Sequence, residues 1–162
     1  MPVPLLGAIV ASNATQTKRG IETVLRTGRR KIGVVGLAFK PATDDLRESP
    51  MVTLVETLIG KGCDVRVYDP NVVMARLHGA NRTYIETEIP HIAALLCDDL
   101  DALVAHAEVI VIGSPGPDAA RAKAAASENH IVIDLARTLP APQPEPVEVS
   151  PLVNPDPVLN PA

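Results

Sequence analysis

Four short apolar runs recur along the chain, each separated from the next by segments of helical character, and this alternation limits the fold more than any other feature. The runs are "IGVVGL" at 32–37, "DVRVYDP" at 64–70, "EVIVIG" at 108–113 and "HIVIDLA" at 130–136. A continuous apolar strand suits a parallel sheet covered on both faces, whereas the alternating second run suits a strand with one wetter side. Between the first two runs, Ser49 and Pro50 have the residue types of a helix cap and first helical position. The helix they open, "PMVTLVETLIGKG", gathers Val52, Leu54, Val55 and Leu58 on one side and ends at Gly60 or Gly62. "DLDALVAHA", capped by Asp98 or Asp99, and the Ala-rich "GPDAARAKAAASEN" supply later helices. Alternating strands and helices predict an α/β fold, a Rossmann-like, doubly wound parallel sheet with right-handed crossovers.

The flanks read differently. Ser12 or Asn13 is expected to cap a helix that runs to about Thr27, with Gly28 as its stop and Ile21, Val24 and Leu25 on its apolar face. Residues 71–93 carry weaker signals: a short helix near Val72–Leu77, then a mixed stretch around Tyr84–Ile92. "ALLCDD" at 94–99 is a candidate short strand. From Leu139 onward the periodicity stops, and eight prolines fall in the last 24 residues. Such a stretch cannot bury a core and is expected to be an extended or disordered tail. The chain thus divides into a leading helical segment at 1–30, a domain at 31–138 and a Pro-rich tail at 139–162.

A length of 162 residues with 46% hydrophobic and 21% charged residues suits one soluble domain. The formal net charge of -4 argues against a general binder of nucleic acid or membrane surface, which needs a basic field, while leaving room for a local basic pocket. No apolar run reaches the length of a membrane span, and the opening "MPVPLLGAIVAS" has no basic leader, so neither span nor signal peptide is expected. Cys63 and Cys97 lack metal or disulfide spacing and read as thiols in a reducing cytoplasm. His78, His91, His106 and His130 are scattered, so neither a metal site nor a catalytic histidine is assigned.

Chemistry concentrates in the loop after the first run, "AFKPATDDLRES". In doubly wound sheets ligands bind beyond the carboxyl ends of the strands. Lys40 suits a phosphate or sugar oxygen, Arg47 has the planar fork that suits a pyrophosphate, and the helix start at Ser49 also favours anions. The same residues, with Asp44, Asp45 and Glu48, equally describe a solvated loop with internal ion pairs. Gly33 and Gly36 do not form a GxGxxG fingerprint, so no independent NAD site is expected.

"KIGVVGLAFKPATDDLRESP", "LIGKGCDVRVYDPNV", "VIVIGS" and "IVIDLAR" together resemble the C-terminal, sugar-nucleotide-binding domain of the UDP-glucose/GDP-mannose dehydrogenase family over roughly 31–137. "ARLHGANRTYIETEIPHIAALLCDDLD" is similar to the GDP-mannose 6-dehydrogenase branch, and the opening resembles the helix that links the two family domains and packs at a dimer interface. The resemblance implies that Phe39 and Lys40 contact a sugar nucleotide, GDP-mannose or UDP-glucose. It implies that Arg47 reaches NAD held by an N-terminal domain. It also implies a further substrate contact from an Arg after the last strand, carried over to Arg137, which lies one residue off the family's spacing from Asp134. The implied reaction oxidises a sugar C6 alcohol to a carboxylate with two NAD, through a cysteine in a "GGxCxPKD"-like motif. That motif and the glycine fingerprint are absent from these residues, and no catalytic residue is assigned. The expected partners are therefore a dehydrogenase half that supplies both, or a second copy of the chain. A stand-alone sugar-nucleotide binder and a non-catalytic dimerising remnant remain the alternatives.

Overall fold

The computed structural model describes residues 4–38, 46, 47, 49–73 and 82–136. Helix α1 spans Pro4–Arg26 and strand β1 Lys31–Val35; helix α2 (Pro50–Gly60) and strand β2 (Asp64–Tyr68) follow. Residues 70–73 are again helical. Two short helices come next, α3 (Arg82–Thr87) and α4 (Pro90–Ala93), then α5 (Leu100–His106), β3 (Val109–Ile112), α6 (Pro117–Ala125) and β4 (Ile131–Asp134). Every strand pairing is parallel, and the order across the sheet is β2-β1-β3-β4. The expected doubly wound α/β architecture is thus present.

Side-chain alternation on β1 explains the two layers of helices. Ile32 and Val34 join Val65, Val67, Val109 and Val111 in a core with α1, α2, α3 and α4. Val35, Ile110 and Ile112 point the other way and pack with Leu100, Leu103 and Val104 of α5 and Ala119 and Ala122 of α6. A strand buried on both faces must be apolar at consecutive positions, as "VIVI" of β3 is. Gly33 has a packing role: a Cβ there would lie 2.5 Å from Leu103 Cδ2 and 3.1 Å from the Ala107 Cβ, so its absence lets α5 approach the sheet.

Three sequence expectations need correction. Helix α1 starts at Pro4, so Ser12 and Asn13 lie inside it rather than at its start. Proline is tolerated in a first helical turn, and the apolar residues behind it favour the helix. "ALLCDD" forms no strand; it contributes one parallel bridge, Leu96 to Val67, before Asp99 accepts a hydrogen bond from the Asp101 N–H and starts α5. The stretch around Tyr84–Ile92 resolves into α3 and α4. Strand β4 is not buried as its apolar run implied: Ile131 and Val132 are 37% and 39% exposed, because β4 pairs only with β3 and lies at the sheet edge among the described residues. The short helix near Val72–Leu77 lies in part, and the Pro-rich tail wholly, outside the described residues. No helix among the described residues is long and apolar enough to cross a membrane.

Candidate functional site

The sheet order places the topological switch between β1 and β3, where crossovers leave in opposite directions and open a crevice at the carboxyl rim. A cavity of about 300 Å³ lies there, lined by residues that follow β1 (Gly36, Ala38), β2 (Asp69, Asn71) and β3 (Ser114) and by Asp118 of α6. Its floor is built from close backbone contacts. Gly36 has φ 86°, a left-handed conformation open to glycine at little cost, and a Cβ there would lie 2.1 Å from Ser114 Oγ. The chain can therefore turn out of β1 directly against the end of β3.

Asp69 is the centre of the rim. It is 4% exposed, and its two carboxylate oxygens take separate duties. Oδ2 accepts the N–H groups of Leu37 (2.8 Å) and Ala38 (3.1 Å). Oδ1 accepts those of Asn71 (3.1 Å) and Val72 (3.4 Å), capping the helical turn that Pro70 opens. A buried carboxylate is tolerable when its lone pairs are satisfied in this way. Across the loop, the Ser49 hydroxyl donates to the Leu37 carbonyl at 2.7 Å and accepts from the Met51 N–H at 3.2 Å. The expected N-cap at Ser49 with Pro50 behind it is thus present.

The crevice wall is furnished with hydroxyls and acceptors. Tyr68 lines it, and burial, followed by the nearby Asp118 carboxylate, raises its phenol above the ordinary value of 10.0, so it is a neutral hydrogen-bonding group. Arg121 lies 3.4 Å from Asp118. Such a lining suits sugar or ribose hydroxyls; a diphosphate needs cations brought by the loop between β1 and α2. At the base of the crevice Gly36 is packed on Ser114, and a Cβ on Gly113 would lie 2.3 Å from the Gly36 carbonyl oxygen. The acidic residue at the end of β2, the usual ribose reader, has both oxygens engaged by backbone donors.

Of the residues singled out in the sequence, Arg47 lies in the turn before α2, exposed, next to Leu46, which is only 2% exposed. Arg47 does not line the crevice. Phe39, Lys40 and Arg137 lie outside the described residues. Just before Arg137, Asp134 pairs with Lys123 of α6 at 2.5 Å. Both cysteines are free thiols; Cys63 is buried, and Cys97 donates to the Val67 carbonyl at 3.2 Å while burial raises its pKa. A raised thiol pKa lowers the thiolate fraction of Cys97 and so its nucleophilicity. Sequence reasoning missed Asp69, taking Asp69-Pro70-Asn71 only as the end of a strand. The available signals were an Asp-Pro pair suited to a helix start and an acidic residue where β2 meets the rim.

Residues 33–141 match the model of the UDP-glucose/GDP-mannose dehydrogenase family, UDP binding domain. The GDP-mannose 6-dehydrogenase of Pseudomonas aeruginosa is 50% identical over 111 residues, covering 68% of this chain and 26% of that protein. The GDP-mannose 6-dehydrogenase of Azotobacter vinelandii is 45% identical over 137 residues, 85% of this chain and 31% of its own length. Among solved structures, a ternary complex of GDP-mannose dehydrogenase from Pseudomonas aeruginosa superposes with a TM-score of 0.79 at 40% identity, over 89% of this chain and 33% of the other. A UDP-glucose dehydrogenase from Pyrobaculum islandicum gives 0.59 at 26% identity, over 80% and 28%. The chain spans about a quarter to a third of the length of the curated relatives it matches.

Proposed function

Because the chain belongs to the UDP-glucose/GDP-mannose dehydrogenase family through that family's UDP binding domain, we propose that it is the C-terminal, sugar-nucleotide-binding part of an NAD-dependent nucleotide-sugar 6-dehydrogenase of the GDP-mannose type. The observation that carries this reading is the position of the loop between β1 and α2. It lies inside the matched segment 33–141, and its two ends sit at the switch-point rim, where a doubly wound sheet binds ligands. In this reading residues 31–138 form the binding domain, 1–30 the linker and dimerisation segment, and 139–162 a tail.

Lys40 supplies a compact cation to the diphosphate or sugar, with Phe39 packing beside it, and Arg137 adds a second substrate contact. The hydroxyl-rich crevice, with Tyr68 and Ser114, suits the sugar or ribose. Arg47, exposed in the turn before α2, offers its guanidinium to an NAD held by another dehydrogenase half. The oxidation itself requires that half and its nucleophilic thiol, whether from a longer polypeptide or a companion chain. The residues in hand hold neither a glycine fingerprint nor a "GGxC" thiol.

The test is calorimetric titration of the chain with GDP-mannose, UDP-glucose and NAD. GDP-mannose should bind with an affinity below that of a complete site, because part of the enclosure is contributed elsewhere. Lys40→Ala should abolish the heat. NAD alone should give none. Absence of binding at millimolar GDP-mannose, or binding indifferent to Lys40→Ala, would overturn the reading.

A further inference from the structure

The β1–α2 loop leaves the core at Leu37 and Ala38 and returns at Leu46, Arg47 and Ser49, and both ends are tied to one residue, Leu37. The Leu37 N–H donates to Asp69 Oδ2 at 2.8 Å, and the Leu37 carbonyl accepts from Ser49 Oγ at 2.7 Å. Ala38 N–H adds a second bond to the same carboxylate oxygen at 3.1 Å. Ser49 N–H donates to the Leu46 carbonyl at 3.2 Å, and the Leu46 side chain is buried in the main core. Asp69 and Ser49 are 4% and 1% exposed, and they are the buried polar or charged residues among those described. Burying a carboxylate is unfavourable unless backbone donors satisfy it, and here four do.

We propose that Asp69 and Ser49 are positioning residues for sugar-nucleotide binding: from the end of β2 and the start of α2 they fix the Leu37 peptide, and through it the direction in which the chain enters Phe39 and Lys40. This rests on the function proposed above. The carboxylate at the end of β2 has exchanged the role of reading a ribose for that of holding a loop. Its second oxygen, engaged with Asn71 and Val72, locks the same loop root to the helical turn after β2.

Asp69→Asn is the informative substitution. An amide presents one acceptor oxygen and one NH2, so whichever way it turns, one pair of backbone N–H groups meets a donor. Ser49→Ala removes the other tie, and Ser49→Thr keeps the hydroxyl. In titrations with GDP-mannose, Asp69→Asn and Ser49→Ala should each weaken Kd by about tenfold or more with stoichiometry unchanged, as loss of a bond to a buried polar group implies. Ser49→Thr should restore wild-type affinity. A purely structural role would lower the stoichiometry, through fewer folded molecules, and leave Kd intact; that result would overturn the proposal.

Backbone amide spectra of the ligand-free chain separate this inference from the function it rests on. Asp69→Asn should shift the amide signals of residues 37–48 and leave those of β4 and α6 in place. If GDP-mannose does not bind the wild-type chain, the sugar-nucleotide reading fails even though those shifts appear. If the signals of 37–48 do not move, the anchoring role is refuted whatever the ligand does.

Discussion

Gly36 and Glu108 act at opposite ends of β1, and each makes a separable prediction. At the carboxyl end, Gly36 combines φ 86° with a Cβ position 2.1 Å from Ser114 Oγ. Gly36→Ala therefore meets both backbone strain and overlap, and should cost about 2 kcal/mol or more of stability in urea denaturation. It should also disturb the rim, since Ser114 lines the crevice. At the amino end, the Glu108 carboxylate accepts the Arg30 and Lys31 N–H groups, each at 3.2 Å, and meets the Arg29 guanidinium at 3.2 Å. The backbone bonds from Lys31 and Arg30, more than Arg29, hold its pKa below the ordinary 4.5. A carboxylate depressed in the folded state stabilises above the unfolded pKa, and that contribution is lost as pH falls through the lower folded value. The Tm difference between wild type and Glu108→Gln should thus be constant from neutral pH down to about 5 and shrink below 4.5. A difference that grows on acidification would contradict the assignment.

At the scale of elements, the central strands are packed more tightly than the edge strand β4. Helix α5 rests on β1 where Gly33 leaves room for Leu103 and Ala107. Gly33→Ala should destabilise, and Leu103→Ala in that background should cost less than the sum of the single changes, by about 0.5–3 kcal/mol in a double-mutant cycle. Ile110→Ala, in the fully buried β3, should lose about 2–5 kcal/mol. Val132→Thr on the exposed edge strand should stay within about 0.5 kcal/mol. The same contrast shows what was legible in the chain. Continuous apolar runs and a Ser-Pro pair reveal strands and a capped helix, because burial on two faces and an orphan N–H each demand particular residue types. "HIVIDLA" and "EVIVIG" look alike, yet one is an edge and the other is central; strand order depends on long-range pairing that no local pattern records. Asp69 is the same kind of case. Its role depends on two N–H groups more than thirty positions earlier, while its neighbours Pro70 and Asn71 show only the turn.

For the whole molecule, the family match and the sheet rim together describe one domain of a longer family architecture. The chain covers 26% and 31% of two curated relatives, and its residues include neither a glycine fingerprint nor a "GGxC" thiol. On the proposed function, the 162-residue chain alone, mixed with GDP-mannose and NAD, should produce no NADH; turnover would contradict that reading. The most direct measurement maps where the ligand sits: amide chemical shifts of the isotope-labelled chain, recorded as GDP-mannose is added. Perturbations should cluster at residues 36–50, 68–71 and 113–118, around the carboxyl rim of β1, β2 and β3, and be absent from the amino-end residues 29–31 and 108. Shifts confined to the opposite end of the sheet, or none at saturating ligand, would contradict a sugar-nucleotide site on this rim.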